Sequence, residues 1–246
     1  MYVNTTGIVL RETKYKDSSK ILTVLTSSHG KLTVSARGAL RKNSKLAAVT
    51  QLLAYSEMTL FCNKGRWTLN EARSVQQFIG LRQDLTLISL GAYIAELVEA
   101  VADEDSPNTE LLPLCLNALY ALSEGLKEPD IVKPAFELRL MAVSGYAPLM
   151  SSCAVCSKTE LIRAFLDKTG GTLRCESCPA SDLEKPSPLS PGALQAAKYI
   201  ISCESKKLFS FTVGKEALKE LSAACEGYLL SQLDRRFGTL DFYHKL

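Results

Sequence analysis

Four cysteines stand in two pairs, Cys153-Ala-Val-Cys156 and Cys175-Glu-Ser-Cys178, with eighteen residues between them. Each C-x-x-C turn aims two thiolates at one point, and two such turns at this separation complete a tetrahedron around a soft-to-borderline cation. Zinc is the expected ion, and iron in a rubredoxin-type site would use the same four sulfurs. The chain's two histidines, His29 and His244, lie far from the quartet in sequence. A closed four-thiolate site leaves no coordination position for water or substrate. The expectation is therefore one structural zinc ion rather than a zinc enzyme. A pair of redox-active dithiols is a weaker alternative, because thioredoxin-like motifs need a βαβ context that is missing here.

A second set of residues can bind rather than react. The run Arg37-Gly-Ala-Leu-Arg-Lys-Asn-Ser-Lys45 has no regular apolar period and reads as an exposed basic loop. Arg37, Arg41, Lys42 and Lys45 can neutralise about four phosphates, with affinity that falls as salt rises and carries no sequence preference. The charge distribution supports this. The whole chain is +3, but residues 1–80 hold twelve Lys and Arg against Glu12, Asp17, Glu57 and Glu71. That is a net +8, which leaves −5 for the remainder, the asymmetry expected when one part of a chain meets a polyanion. Tyr55, Phe61 and Trp67 are candidates for stacking on bases, although aromatics in alternating strands more often face a core.

Other chemistry lacks its residues. Neither Gly30-Lys31 nor Gly214-Lys215 has the flanking residues of a phosphate-binding loop, so no nucleotide cofactor is expected. A zinc deaminase needs His-x-Glu and Pro-Cys-x-x-Cys; here Arg174 precedes Cys175 and neither histidine is followed by x-Glu. Both histidines read as surface residues. Carboxylate catalysis stays open, since pairing in space is not visible in a sequence. The N-terminus shows no secretory signal pattern, and Leu85–Val101, the most apolar stretch, carries Glu96 and Glu99. A reducing cytoplasm without a membrane role follows as the expectation, and there paired cysteines hold metal more often than disulfides. Cys115 and Cys225 fall on apolar helix stripes and read as small buried residues.

The elements that position these residues follow from periodicity. Ile21–Thr26 and Leu32–Ala36 are strands joined at Gly30, and Met58–Cys62 with Trp67–Asn70 form a second hairpin around Asn63-Lys-Gly65. Short strands with turns between them predict a small barrel over 1–80. From residue 81 the period becomes helical, with stripes at Leu87–Val101, Leu112–Leu122, Ile131–Ala142, Ala193–Ile201 and Gly214–Leu233. Pro107 reads as the start of the second helix. The cysteine module occupies 151–180, with a strand at Leu161–Leu166, a turn at Gly170-Gly171 and an exit marked by Pro179, Pro186, Pro188 and Pro191. The expected organisation is thus α+β and multidomain: a barrel at 1–80, a helical domain at 81–150 and 181–246, and an inserted zinc module at 151–180. Lys158, Arg163, Lys168 and Arg174 lie in or near that module, where a structural role is favoured over nucleic-acid contact.

The run Asp17-Ser-Ser-Lys-Ile-Leu-Thr-Val-Leu-Thr-Ser-Ser-His-Gly30, followed by Ser35-Ala-Arg-Gly-Ala-Leu-Arg-Lys-Asn-Ser-Lys45, resembles the N-terminal domain of the RecO family of bacterial recombination mediators. The resemblance continues through Phe136–Pro148 and Leu233–Phe242, so it spans nearly the whole chain in family order. Ala39 and Leu40 replace part of the family's basic spelling. The resemblance implies an OB-fold at 1–80, a helical domain and a four-cysteine zinc ribbon. It implies binding of single- and double-stranded DNA, annealing of complementary strands without ATP, and help in loading recombinase on coated strands. It also implies RecR and the acidic C-terminal tail of the single-strand DNA-binding protein as partners, in the bacterial cytoplasm at the nucleoid. Arg37, Arg41, Lys42 and Lys45 match the family's DNA-contacting loop. For the acidic, partly apolar tail, Lys133 and Arg139 beside the third helical stripe are the expected cations. The alternatives are a zinc-ribbon interaction protein that binds RNA, or a zinc-dependent enzyme acting on nucleic acid.

Overall fold

The structure, a computed structural model, describes residues 1–178, 183 and 185–246. Pro179 and the expected module boundary between Ala180 and Ser181 lie outside the described residues. Five strands, β1 (Tyr2–Tyr15), β2 (Ser19–Thr26), β3 (Gly30–Ala36), β4 (Tyr55–Asn63) and β5 (Arg66–Gln76), close into a barrel in the order β1-β2-β3-β5-β4. Neighbours are antiparallel except β3 and β5, which pair parallel at Val34–Trp67 and Ser35–Thr68. This is an OB-fold. Both expected hairpins are present. Lys64 and Gly65 have φ of 48° and 74°, the left-handed pair that matches a two-residue turn to the twist of its strands.

Alternation builds the interior. Leu32, Val34 and Ala36 of β3 point inward between exposed or half-buried neighbours, and meet Val9, Leu22, Val24, Met58, Leu60 and Leu69. The long first strand was not legible as a single element. It buries Ile8, Val9 and Leu10 in succession, and a register shift between Val9 and Arg11 interrupts its alternation.

Six α-helices follow among the described residues: α1 (Leu85–Val101), α2 (Leu111–Ser123), α3 (Pro129–Val143), α4 (Pro191–Ser202), α5 (Lys215–Leu233) and α6 (Gly238–Tyr243). Asp84 caps α1 by accepting hydrogen bonds from the N–H groups of Thr86 and Leu87 at 2.7 and 3.0 Å. Glu96 and Glu99 are tied into the same compact unit. Glu96 accepts from the hydroxyl of Thr239 at 2.5 Å, and Glu99 pairs with Arg11 at 2.8 Å. No helix among the described residues is long and apolar enough to cross a membrane.

Pro107 does not start α2, which begins at Leu111. The intervening segment lies against the turn between β2 and β3. Lys31 donates its N–H to the carbonyl of Asp103 at 3.0 Å, and Asp105 donates to the carbonyl of Lys31 at 3.4 Å. Gly30 makes this approach possible. Its φ is +63°, and a Cβ there would collide with the Ser106 carbonyl. Gly30→Ala is therefore expected to destabilise the protein by at least about 1–2 kcal/mol, read as a lowered midpoint of urea unfolding.

The chain divides into two compact units, one of residues 1–125 with 237–246 and one of 126–236. These differ in extent from the three sections expected. α1, α2 and the C-terminal α6 belong with the barrel, and the cysteine module shares a unit with α3, α4 and α5. In the second unit α3 packs against α4 and α5. Strands β6 (Leu149–Cys153), β7 (Ala164–Asp167), β8 (Thr172–Cys175) and β9 (Ser187–Leu189) form a sheet in the order β6-β8-β7-β9. The predicted strand at Leu161–Leu166 is β7, which starts three residues later and ends one later, and Gly171 turns the chain into β8 with φ +62°.

Candidate nucleic-acid interface and metal centre

In the first unit the basic loop connects β3 to β4 over residues 37–54, a length that in a compact domain is usually functional. Arg37, Arg41, Lys42 and Lys45 are all exposed, and no carboxylate occurs between residues 37 and 54. The loop is nevertheless held firmly. Ala39 is buried against the barrel core and Leu46 packs on the same cluster. Leu40 donates its N–H to the Ser18 carbonyl at 3.0 Å, and Gly38 donates to the Ser19 hydroxyl at 3.4 Å. Ser18 lies in the β1–β2 turn and Ser19 opens β2. Successive turns at Arg41, Ser44 and Ala47 carry the chain to Thr50, whose carbonyl accepts from the Lys20 ammonium at 3.2 Å. Lys20 also pairs with Glu12, so this buried cation serves the loop's base and not its surface. The sequence reading missed Ala39, Ser18 and Ser19 as supports. A lone small apolar residue inside a polar run was the only local sign of an anchor.

The aromatic candidates are less open. Trp67 packs against the barrel core and meets the His29 ring edge-on at 5.4 Å. Phe61 is half-buried against Tyr2, with ring centroids 4.9 Å apart, and Tyr55 is half-buried. His29 is half-buried in its turn and bonded to the Ser28 hydroxyl at 2.7 Å, and His244 is exposed.

In the second unit all four cysteines of the quartet come together, with every Sγ within 4.8 Å of the others. Cys153 closes β6 and Cys175 closes β8; each is followed by a turn that brings Cys156 or Cys178 back. Cys156 and Cys175 are 3.7 Å apart at sulfur. A tetrahedral ion with metal–sulfur bonds of about 2.3 Å needs sulfur pairs near 3.8 Å, so the donor set fits a four-coordinate closed site. The backbone prepares the charge. Hydrogen bonds from the N–H groups of Cys156 and Cys175 outweigh burial and lower the Cys153 thiol to about 6. Cys178, sharing its proton with Cys175 and Cys156, is pushed up to about 12 in the metal-free cluster. A bound cation displaces such protons. Cys115 and Cys225 are buried as expected, and burial pushes their thiols well up, the Cys115 thiol to about 12. They are packing residues.

Lys133 and Arg139 are not at the surface. All ten residues from Val132 to Met141 of α3 are buried, so this helix has no solvent face over that stretch. The Lys133 ammonium lies 2.7 Å from Glu137 and 2.6 Å from Glu226. Burial lowers its pKa, but the two carboxylates more than offset that and hold it above its ordinary value. The Arg139 guanidinium donates to the carbonyls of Ile200, Ile201 and Cys203 at 3.2, 2.6 and 2.7 Å, closing the C-terminus of α4. Both cations have structural partners inside the fold, and a peptide-facing role is not assigned to them.

With these geometries in place, the relatives of the chain are informative. Residues 1–78 match the family model described as Recombination protein O N terminal, and residues 82–241 match Recombination protein O C terminal. A protein named DNA repair protein RecO from Acetivibrio thermocellus is 34% identical over 100% of this chain and 97% of its own. Its namesake from Caldicellulosiruptor bescii is 31% identical over 98% of this chain and 97% of its own. A Listeria monocytogenes protein of the same name is 35% identical over 70% of this chain and 67% of its own. The first match ends where the barrel ends, and the second runs through the helices and the cysteine quartet. The chain therefore belongs to the RecO family of DNA repair proteins.

Proposed function

We propose that this chain is a non-enzymatic DNA repair mediator. It binds single- and double-stranded DNA through the β3–β4 loop, anneals complementary strands without ATP, and assists recombinase loading on coated single strands. The observation that carries this reading is the loop itself: four exposed cations and no carboxylate, braced on an OB barrel. Two strands repel as polyanions, and a basic surface that engages both lowers that repulsion while bases pair. The step needs no bond made or broken in a cofactor. A zinc ion held by Cys153, Cys156, Cys175 and Cys178 would supply folding energy to the ribbon and no Lewis-acid chemistry, since all four positions are protein sulfur. The family resemblance supports RecR and the tail of the single-strand DNA-binding protein as partners, in the bacterial cytoplasm.

The test is annealing of labelled complementary oligonucleotides without ATP, on bare strands and on strands covered by the cognate coat protein. Acceleration in both is expected; acceleration on bare strands alone would remove the coat-protein partner, and none at all would remove the activity. A second measurement locates the surface. Four phosphate contacts on single strands give a log–log salt slope of about −3, so Arg41→Ala with Lys42→Ala should flatten it by about 1.4 and weaken all sequences equally. An unchanged slope would show that the loop does not touch phosphate. Tighter binding to RNA than to DNA of equal length would favour the RNA-binding alternative.

A further inference from the structure

We propose that Tyr15, at the tip of the β1–β2 hairpin, is a stacking platform for one unpaired base, flanked by Lys16 and by Arg37 of the neighbouring loop as phosphate contacts. This inference rests on the DNA-binding reading and adds to it a residue that distinguishes single strands from duplex.

Three observations converge on Tyr15. First, Tyr15 is 47% exposed, with the Lys16 ammonium over its ring at 5.3 Å from the centroid. Of the other barrel aromatics, Trp67 packs on the core, Tyr55 is half-buried, and Tyr2, also exposed, lies against the Phe61 ring. Second, Tyr15 is held beside the basic loop. It pairs across the hairpin with Ser19, whose hydroxyl accepts the Gly38 N–H, while Ser18 accepts the Leu40 N–H. Two strand spacings, roughly 10 Å, thus separate the Tyr15 backbone from that of Arg37 and Gly38. Third, the charge is complementary to a strand. Lys14, Lys16, Arg37 and Arg41 lie at this end of the barrel, where the nearby carboxylates are Asp17 in the turn and Glu12, which is paired with Lys20.

The chemistry follows. A base in a duplex has both faces occupied by its neighbours, but an unpaired base has a face free for an aromatic ring. The cation over the Tyr15 ring places a positive charge within reach of the phosphate next to a stacked base. The strained turn keeps it there: Lys16 is left-handed at φ 54°. The first β-turn of an OB barrel is also one of the places where the fold presents ligands.

The experiment uses the full chain with Tyr15→Ala and Tyr15→Phe, titrated against fluorescein-labelled oligo(dT), an abasic strand of the same length, and a duplex. Tyr15→Ala is expected to weaken oligo(dT) binding roughly tenfold and leave the abasic strand, the duplex and the salt slope unchanged. Tyr15→Phe should bind like the parent, because the ring and not the hydroxyl does the stacking. An equal loss on the abasic strand, or no loss on oligo(dT), would overturn the proposal while Arg41→Ala with Lys42→Ala still reported on the loop. Failure of the parent protein to bind any of the three probes would instead overturn the DNA-binding reading. Tyr15 is a surface residue, so an unchanged melting temperature verifies that each variant is folded.

Discussion

Replacing Cys175 with serine is expected to abolish metal binding and unfold the ribbon formed by β6 to β9. Its strands are three to five residues long, and among the described residues its interior holds a few apolar side chains, including Leu161, Leu166, Leu173 and Leu189. So small a core cannot offset the entropy of ordering the segment. A structural zinc contributes an apparent ~10–16 kcal/mol in zinc-finger peptides near neutral pH, as large as the whole stability of a typical domain. A serine hydroxyl is a poor ligand for a soft site, and Cys175 is buried, so water cannot readily take its place. The measurements are zinc per chain, by colorimetric release, and limited proteolysis between residues 149 and 189. Full metal content together with parental protease resistance would show that the quartet is not the metal site.

Acid should have the same effect by another route. The Cys153 thiol is already depressed to about 6, whereas Cys178 is raised to about 12 without metal. Binding must expel the proton that the Cys178 thiol keeps, so zinc affinity should fall steadily as pH is lowered from 8 towards 5.

The second large effect is expected at Lys133→Met. Lys133 lies between Glu137, which is 0% exposed, and Glu226. Removing the cation leaves two carboxylates facing each other in a poorly solvated space, and breaking such a buried pair costs about 3–5 kcal/mol. The sign of the pH dependence follows from the raised pKa of Lys133. Its contribution is complete below the ordinary lysine pKa and is lost only as pH rises through the folded value, so stability between pH 6 and 9 should be insensitive to this group. Chemical denaturation of the full chain measures the change. A shift of under about 0.5 kcal/mol would mean that the site admits water or another counter-charge. Replacing Lys133 and Glu137 together by apolar residues of similar volume should recover much of the loss, because both desolvated charges then disappear.

These two expectations came from different sources. The cysteine quartet was readable at once, because two residues between thiols set their geometry within one turn. The exposed cations of the β3–β4 loop were equally readable, because a run of lysine and arginine with no apolar period has nowhere to be but the surface. The helical stripes at Leu87–Val101 and Leu112–Leu122 also became helices, since a 3.6-residue period is a local property. Pro107 failed as a helix start for a non-local reason: hydrogen bonds with Lys31 hold the segment before α2 against the turn between β2 and β3.

The sequence by itself determined the spacing that gathers the cysteine quartet, the exposed basic loop, the barrel class and the absence of a phosphate-binding loop motif. Only the tertiary structure decided where the remaining charges and rings would go. Lys133 and Arg139 sit next to an apolar stripe in the sequence, and that position looks like a groove edge until α4 and α5 are packed against α3. Trp67 looks like a stacking face until the barrel closes, and Tyr15 acquires its neighbours only when Leu40 and Gly38 bond to the hairpin that carries it. Spacing along the chain fixes what a turn or a helix face contains. Whether that face meets water, a carboxylate or another helix depends on segments tens of residues away, brought there by burial of apolar surface that no local pattern encodes.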